Sequence, residues 1–152
     1  MPHKLAKSKL SSVARPKADP NFMATIYREF LVDAPAAEAW SAISDVGNVH
    51  KRLAIGFVTD TKMEGDMRTV TFANGVTIQE RMVTIDDGNM RFAYAATGGR
   101  ASHHNASFQV FAINEKQCRV LWITDLLPDE VVPAVTDIVD NGIKAIQATL
   151  KK

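Results

Sequence analysis

The residue pair with the most chemical promise is Glu80 and Arg68. Along an extended chain, successive side chains point to opposite faces. In Val76–Ile85 this puts Ile78, Glu80, Met82 and Thr84 on one side, and Thr77, Gln79, Arg81, Val83 and Ile85 on the other. The face that buries Ile78 and Met82 therefore buries the acid. The same parity places Arg68, Val70 and Phe72 together on the preceding strand. Two inward groups of this kind can hold the polar part of a ligand or hold each other. They can equally form an ordinary cross-strand pair, or leave Arg68 in solvent. A buried carboxylate without a charged partner has a raised pKa and suits acid–base work. It needs a donor, and Arg68, an ordered water or a ligand hydroxyl must supply it. On this reading Glu80→Gln alters affinity for a polar-headed hydrophobic ligand more than it alters stability.

The other reactive residue types make weaker constellations. His103 and His104 are neighbours, and in a strand they point to opposite faces, so they cannot share one ion; His50 lies far off in sequence. No metal site and no cofactor are expected. His103, or Asn105 if a bulge intervenes, can line a cavity mouth, and a plain rim histidine is the blander reading. Trp122 shares its parity with Val120, Thr124 and Leu126, a core position whose indole N–H can serve a ligand or water. Phe57, Phe92 and Phe108 are further apolar lining residues. Cys118 is the only cysteine, so there is no internal disulfide, and no His or Asn stands near it in sequence to activate it. The run Thr97–Arg100, TGGR, lacks the lysine and helix of a phosphate loop, and no Gly-x-Ser-x-Gly occurs.

These residues sit on a simple order of elements. A strand over Ala24–Val32 alternates Ile26, Arg28, Phe30 and Val32 with Tyr27, Glu29 and Leu31. Asp33 is a candidate N-cap and Pro35 suits the first turn of a helix carrying Ala36, Ala39, Trp40 and Ile43 on one face. A short helix follows at Val49–Leu53. From Ile55 the apolar period falls to two. Strands are expected at Ile55–Lys62, Met67–Phe72, Val76–Ile85, Met90–Ala96, Asn105–Asn114 and Arg119–Leu126. Asn74-Gly75 and Asp87-Gly88 mark the tightest hairpins, since such pairs accept positive φ. The last element is a helix over about Glu130–Lys151, with Val131, Val135, Ile138, Val139, Ile143, Ile146 and Leu150 on a broad apolar face. Of these, Ile138, Val139 and Ile143 are expected to face the sheet. Gly142 within the helix costs roughly 1 kcal/mol against Ala and marks a close approach or room for something bound. Seven antiparallel strands that curl as they twist, gripping one long helix, should leave a cavity between them, and a space of less than about 100 Å³ would count against ligand binding.

The chain has 152 residues, enough for one domain, with 46% hydrophobic and 23% charged residues, as in globular proteins. A net charge of +1 argues against a nucleic-acid partner, and no apolar run reaches the ~18 residues of a membrane span. Residues 1–21 read as a disordered basic tail carrying Lys4, Lys7, Lys9, Arg15 and Lys17, with residues 22–152 as the domain. The tail has no apolar h-region, and its likeness to a transit peptide is slight, so a cytoplasmic protein is expected.

Three passages resemble the START-like superfamily, also called the helix-grip or SRPBCC fold, which includes polyketide cyclase/dehydrase-like proteins. They are Phe30–Ile43 (FLVDAPAAEAWSAI), Gly65–Tyr94 (GDMRTVTFANGVTIQERMVTIDDGNMRFAY) and Val120–Asp125 (VLWITD). The resemblance implies an α+β helix-grip domain with two short helices between its first two strands. It also implies an inward carboxylate at Glu80, an inward Trp122 and a ligand cavity. Glu80, Arg68, Trp122, Ile78, Met82, His103, Phe108, Val139 and Ile143 are the candidate ligand-binding residues. The second passage is also similar to plant hormone receptors. Their Ser-Gly-Leu-Pro-Ala gate is replaced here by Phe72-Ala73-Asn74-Gly75-Val76, their His-Arg-Leu latch by Ala101-Ser102-His103, and their ligand-pairing lysine has no counterpart near Leu53–Phe57. A hormone-receptor role is therefore not expected.

Three functions are compatible with this chain. The leading one is a binding module for a hydrophobic small molecule such as a lipid, polyketide or aromatic metabolite, working as a monomer or homodimer. The second is a polyketide cyclase or dehydratase using Glu80, Arg68 and His103. The third is a protein-interaction role resting on the basic tail and mouth loops. Neighbouring polyketide synthase genes would favour the enzyme, and mass spectrometry of a ligand carried through purification would favour the binder. Deleting residues 1–20 should leave the thermal midpoint within a few degrees; a fall beyond about 10 °C, over ~2 kcal/mol at this size, would show that the tail docks.

Overall fold

A computed structural model describes residues 24–152, so the tail read over 1–21 and the domain start at Phe22 lie outside the described residues. Seven strands run in the order β1 (Thr25–Val32), β2 (Val58–Glu64), β3 (Met67–Phe72), β4 (Thr77–Asp86), β5 (Arg91–Thr97), β6 (His103–Ala112) and β7 (Cys118–Leu127). Helix α1 (Ala36–Ser44) and a π-helical turn (Val49–Leu53) lie between β1 and β2, and helix α2 (Val132–Leu150) follows a single 3₁₀ turn, Asp129–Val131. The strands form one sheet, β1-β7-β6-β5-β4-β3-β2, and every pairing is antiparallel. The meander from β2 to β7 is thus completed by the first strand, which pairs beside the last. This is the helix-grip arrangement expected from the sequence.

Period-two alternation decides what the sheet buries. Ile26, Phe30 and Val32 on β1, Phe92 and Tyr94 on β5, Ala106, Phe108 and Val110 on β6, and Val120, Trp122, Thr124 and Leu126 on β7 are buried on the concave side. Tyr27, Leu31, Val83 and Ile85 are exposed. Helix α1 packs Ala36, Ala39, Trp40, Ala42 and Ile43 inward, and Trp40 Nε1 donates to Asp87 Oδ1 at 2.9 Å, tying α1 to the β4–β5 turn.

Helix α2 is held at both edges of the sheet. Arg28 of β1 donates to Asp140 Oδ1 at 2.8 Å, and Gln147 Nε2 donates to the Leu31 carbonyl at 2.9 Å. On the far side the Ile55 amide donates to Thr149 Oγ1 at 3.1 Å. Its buried stripe is Val139, Gly142, Ile146 and Leu150. Ile143 is half-buried and packs at the rim of the core, which corrects the expected helix face. The reason is rotation: Gly142 occupies the line of closest approach, and the next residue lies about 100° further round the helix.

Local differences from the sequence reading have clear causes. Asp33 is not the N-cap of α1; Pro35 holds that position, its carbonyl accepting from the amides of Glu38 and Ala39, and Asp33 Oδ1 accepts from Gln117 Nε2 at 2.8 Å. Strand β2 begins at Val58 rather than Ile55, because Gly56 at φ 84° turns the chain first. Gly75 has the expected positive φ of 87°, with Asn74 Oδ1 accepting from the Val76 amide. In the next hairpin Met90, at φ 48°, takes the left-handed position expected of the Asp87-Gly88 pair. The Ser102 amide donates to the Leu127 carbonyl, and that pairing starts β6 at His103, two residues before the expected start.

Ile146→Ala should cost about 2–5 kcal/mol in denaturant unfolding, and Ile143→Ala less than ~2 kcal/mol, because only the first is fully buried. Equal costs would mean that α2 presents a different face.

Candidate functional site

Among the described residues, the concave face carries the only group of opposed charges in the core. Arg68 and Glu80 are direct cross-strand partners on β3 and β4, and both are buried, at 5% and 8% exposure. Arg68 Nε donates to Glu80 Oε1 at 2.8 Å, and Nη2 lies 2.7 Å from the same oxygen. Arg68 Nη1 donates to the Val46 carbonyl at 3.2 Å. The guanidinium carbon sits 5.2 Å from the Phe92 ring centre and 5.5 Å from that of Tyr94. Of the arrangements open to Glu80 and Arg68, the structure shows the one in which they hold each other. Burial pushes the Glu80 carboxyl up, while the charge and hydrogen bonds of Arg68 oppose the rise.

Beside this pair runs an aromatic ladder. Phe92, Phe108 and Trp122 are successive cross-strand partners on β5, β6 and β7. Phe108 and Trp122 stack at 4.4 Å between ring centres, and Tyr94 lies 5.3 Å from Phe92. One row further, Tyr94 and Thr124 flank Ala106, whose single methyl leaves room between them. Burial, then the charge on Glu80, pushes the Tyr94 phenol well up, so it stays a neutral hydroxyl. On α2, Gly142 faces this ladder: a Cβ there would stand 3.2 Å from Trp122 Cζ3 and 3.4 Å from Phe57 Cε1. The close approach suggested by a glycine inside the helix is therefore to Trp122.

Between sheet and helix lies a cavity of about 80 Å³. It falls short of the ~100 Å³ set above as the least that favours ligand binding, which counts against a roomy binding cavity in this conformation, and it is well below the ~300–1,000 Å³ of ordinary ligand pockets. The ladder, with Phe57 and Phe72 meeting edge to face at 5.3 Å, takes up the remaining concavity. Glu80, Arg68, Ile78, Phe108, Trp122 and Val139 are all in its wall. Three expected residues are not. Met82 stands where the β4–β5 register slips and packs against the core instead. Ile143 is displaced by the helix rotation. His103 is exposed, as is Asn105, because β6 runs without a bulge from Phe108 back through Ala106 to His104, and it is His104 that reaches the cavity. Burial holds the His104 imidazole below its ordinary pKa, with His103 adding to the effect.

The residues that sequence reasoning missed as site residues are Tyr94, His104, Thr124 and Gly142. Parity with Phe92, Phe108 and Trp122 carries the signal for the first three. Trp122 Nε1 and Thr124 Oγ1 are buried without a hydrogen-bond partner among the described residues. Cys118 is fully buried and its thiol pKa is raised by that burial, which keeps it protonated. Among the described residues no group of three His, Cys, Asp or Glu side chains is placed to hold a metal ion, and no helix is long and apolar enough to cross a membrane.

Because Arg68 is the donor that the Glu80 carboxylate needs, Glu80→Gln is expected to cost stability as well as any ligand affinity. Arg68→Met alone should destabilise by about 3–5 kcal/mol, since it leaves a buried charge unmatched, whereas Arg68→Met with Glu80→Met should recover most of that loss. Additive losses in denaturant unfolding would show that the two groups do not act as a pair.

A family model described as polyketide cyclase / dehydrase and lipid transport matches residues 23–152. No curated protein matches the sequence. Several solved structures share the fold. An uncharacterised protein of Bacillus thuringiensis has a TM-score of 0.76 at 19% identity, over 85% of this chain and 100% of its own. Norcoclaurine synthase of Thalictrum flavum, solved with dopamine and hydroxybenzaldehyde, has a TM-score of 0.65 at 18% identity, over 90% of this chain and 92% of its own. A START superfamily protein of Mycobacterium smegmatis has a TM-score of 0.68 at 8% identity, over 84% and 97%. At these identities the likeness is one of fold, and it is the family model, matched from two residues before β1 to residue 152, that decides membership: this chain belongs to the polyketide cyclase/dehydrase and lipid transport family.

Proposed function

We propose that this chain binds a hydrophobic small molecule between the concave sheet and α2. The observation that carries the reading is a buried polar centre, Arg68 with Glu80, set in the wall of a cavity otherwise lined by Ile43, Val70, Phe92, Phe108, Val139 and similar side chains. An apolar wall supplies affinity by burial, and a few fixed polar groups supply orientation. The cavity volume favours a compact molecule or the head of a larger one over a whole lipid. A longer ligand would require α2 or the π-helical turn to move outward.

A second reading, an enzyme of the cyclase or dehydratase type, draws on one feature. Two of the three Arg68 nitrogens, Nε and Nη2, meet Glu80 Oε1, and Oε2 accepts no hydrogen bond among the described residues. A carboxyl pushed up by burial with one oxygen free is suited to pass a proton.

Native mass spectrometry of the purified protein should show a bound mass that is lost on gentle denaturation. Released and added back, the compound should raise the thermal midpoint and return unchanged. A compound that returns chemically altered by the protein, but not by Glu80→Gln, would favour the enzyme. Protein that is always empty and gains no stability from hydrophobic metabolites would sink the binding reading.

A further inference from the structure

We infer that the cavity's ligand is a compact, uncharged molecule bearing an oxygen acceptor, such as a ketone or an ester, which accepts hydrogen bonds from the Trp122 indole N–H and the Thr124 hydroxyl. The inference rests on the cavity being a binding site and names the chemistry that the site selects.

Three observations converge on it. The first is the pair of unpartnered groups. Trp122 Nε1 and Thr124 Oγ1 belong to residues 91% and 99% buried by their exposures of 9% and 1%, both in the cavity wall. They are two positions apart on β7, on the same face, and so about 7 Å apart along the strand. A buried donor left unsatisfied costs about 1–3 kcal/mol, so two of them side by side define what a ligand gains by filling the space. An indole nitrogen only donates; the Tyr94 hydroxyl lies near the Trp122 N–H but forms no hydrogen bond of good geometry with it, so an acceptor from the ligand completes it, and the Thr124 hydroxyl adapts to the same atom.

The second is charge. Arg68 is the cavity's cation and Glu80 its anion, and they are in contact. His104 and Tyr94 complete the titratable groups of the wall, and burial keeps both in their uncharged forms. A charged ligand would lose its water and meet no spare counter-charge, which is costly. A neutral one loses little.

The third is size. A cavity of about 80 Å³ holds two or three waters at ~30 Å³ each and is about half the ~150 Å³ that takes up benzene, so it admits a small molecule, or the head of a larger one, with slight yielding of its walls.

Three probes of similar ring size separate the possibilities: cyclopentanone, methylcyclopentane and cyclopentanecarboxylate. Binding to the full chain is followed in ¹⁵N–¹H spectra through the two tryptophan indole signals. The Trp40 indole is already held by Asp87 and serves as the control. Cyclopentanone should bind most tightly and move the Trp122 signal downfield while the Trp40 signal stays in place. Thr124→Val should weaken cyclopentanone about three- to tenfold, the loss of one hydrogen bond, and leave methylcyclopentane unchanged. Trp122→Phe should abolish the preference for the ketone. Equal binding of ketone and hydrocarbon, or a preference for the carboxylate, overturns the ligand class while leaving the cavity as a binding site. If none of the three probes binds and none shifts the Trp122 signal, the binding reading falls and this inference falls with it.

Discussion

The contact between Gly142 and Trp122 sets how closely the helix can lie in the sheet. A sheet of seven antiparallel strands can wrap a helix only if some residue on that helix admits the tallest side chain of the concave face. Trp122 is that side chain, and Gly142 is the residue that gives way, at a local cost in helix propensity of about 1 kcal/mol. Once α2 is seated there, Val139, Ile146 and Leu150 bury themselves on either side of the contact. The polar ties to Arg28, Leu31 and Ile55 fall at the two sheet edges. The cavity is what remains between the aromatic ladder and the helix.

The buried ion pair takes a different place in the energetics. Two charges removed from water gain little net stability, since the cost of desolvation rivals their attraction. Arg68 and Glu80 are therefore better understood as a positioning device. The guanidinium is fixed by the carboxylate, by the Val46 carbonyl and by the faces of Phe92 and Tyr94. It fastens β3 and β4 to the loop after α1, and the pair presents a fixed polar edge to an apolar space. The same low-polarity surroundings keep Tyr94 and His104 uncharged, so the wall offers dipoles and hydrogen-bonding groups in place of free charge.

Much of this was legible in the residues. Alternation from Val76 to Ile85 identified the buried side of β4, and with it Glu80. Parity on β3 placed Arg68 opposite. The change of apolar period at Ile55, the turn at Asn74-Gly75 and the broad face of the last helix specified the order of elements. These are local properties: a side chain's face follows from its neighbours one and two positions away.

What only the tertiary structure decided depends on distances between elements. The face of α2 turned on which residue met Trp122, so Ile143 moved to the rim although its spacing suits the apolar stripe. The choice between His103 and His104 turned on where β6 began to pair with β7, since one residue of register moves every side chain to the opposite face. The cavity's volume was set by how far Phe57, Phe72, Phe108 and Trp122 extend across the concave side. A sequence specifies which residues turn inward, because that is a matter of period. How much space they leave is a matter of packing, and packing exists only once the helix and the sheet have met.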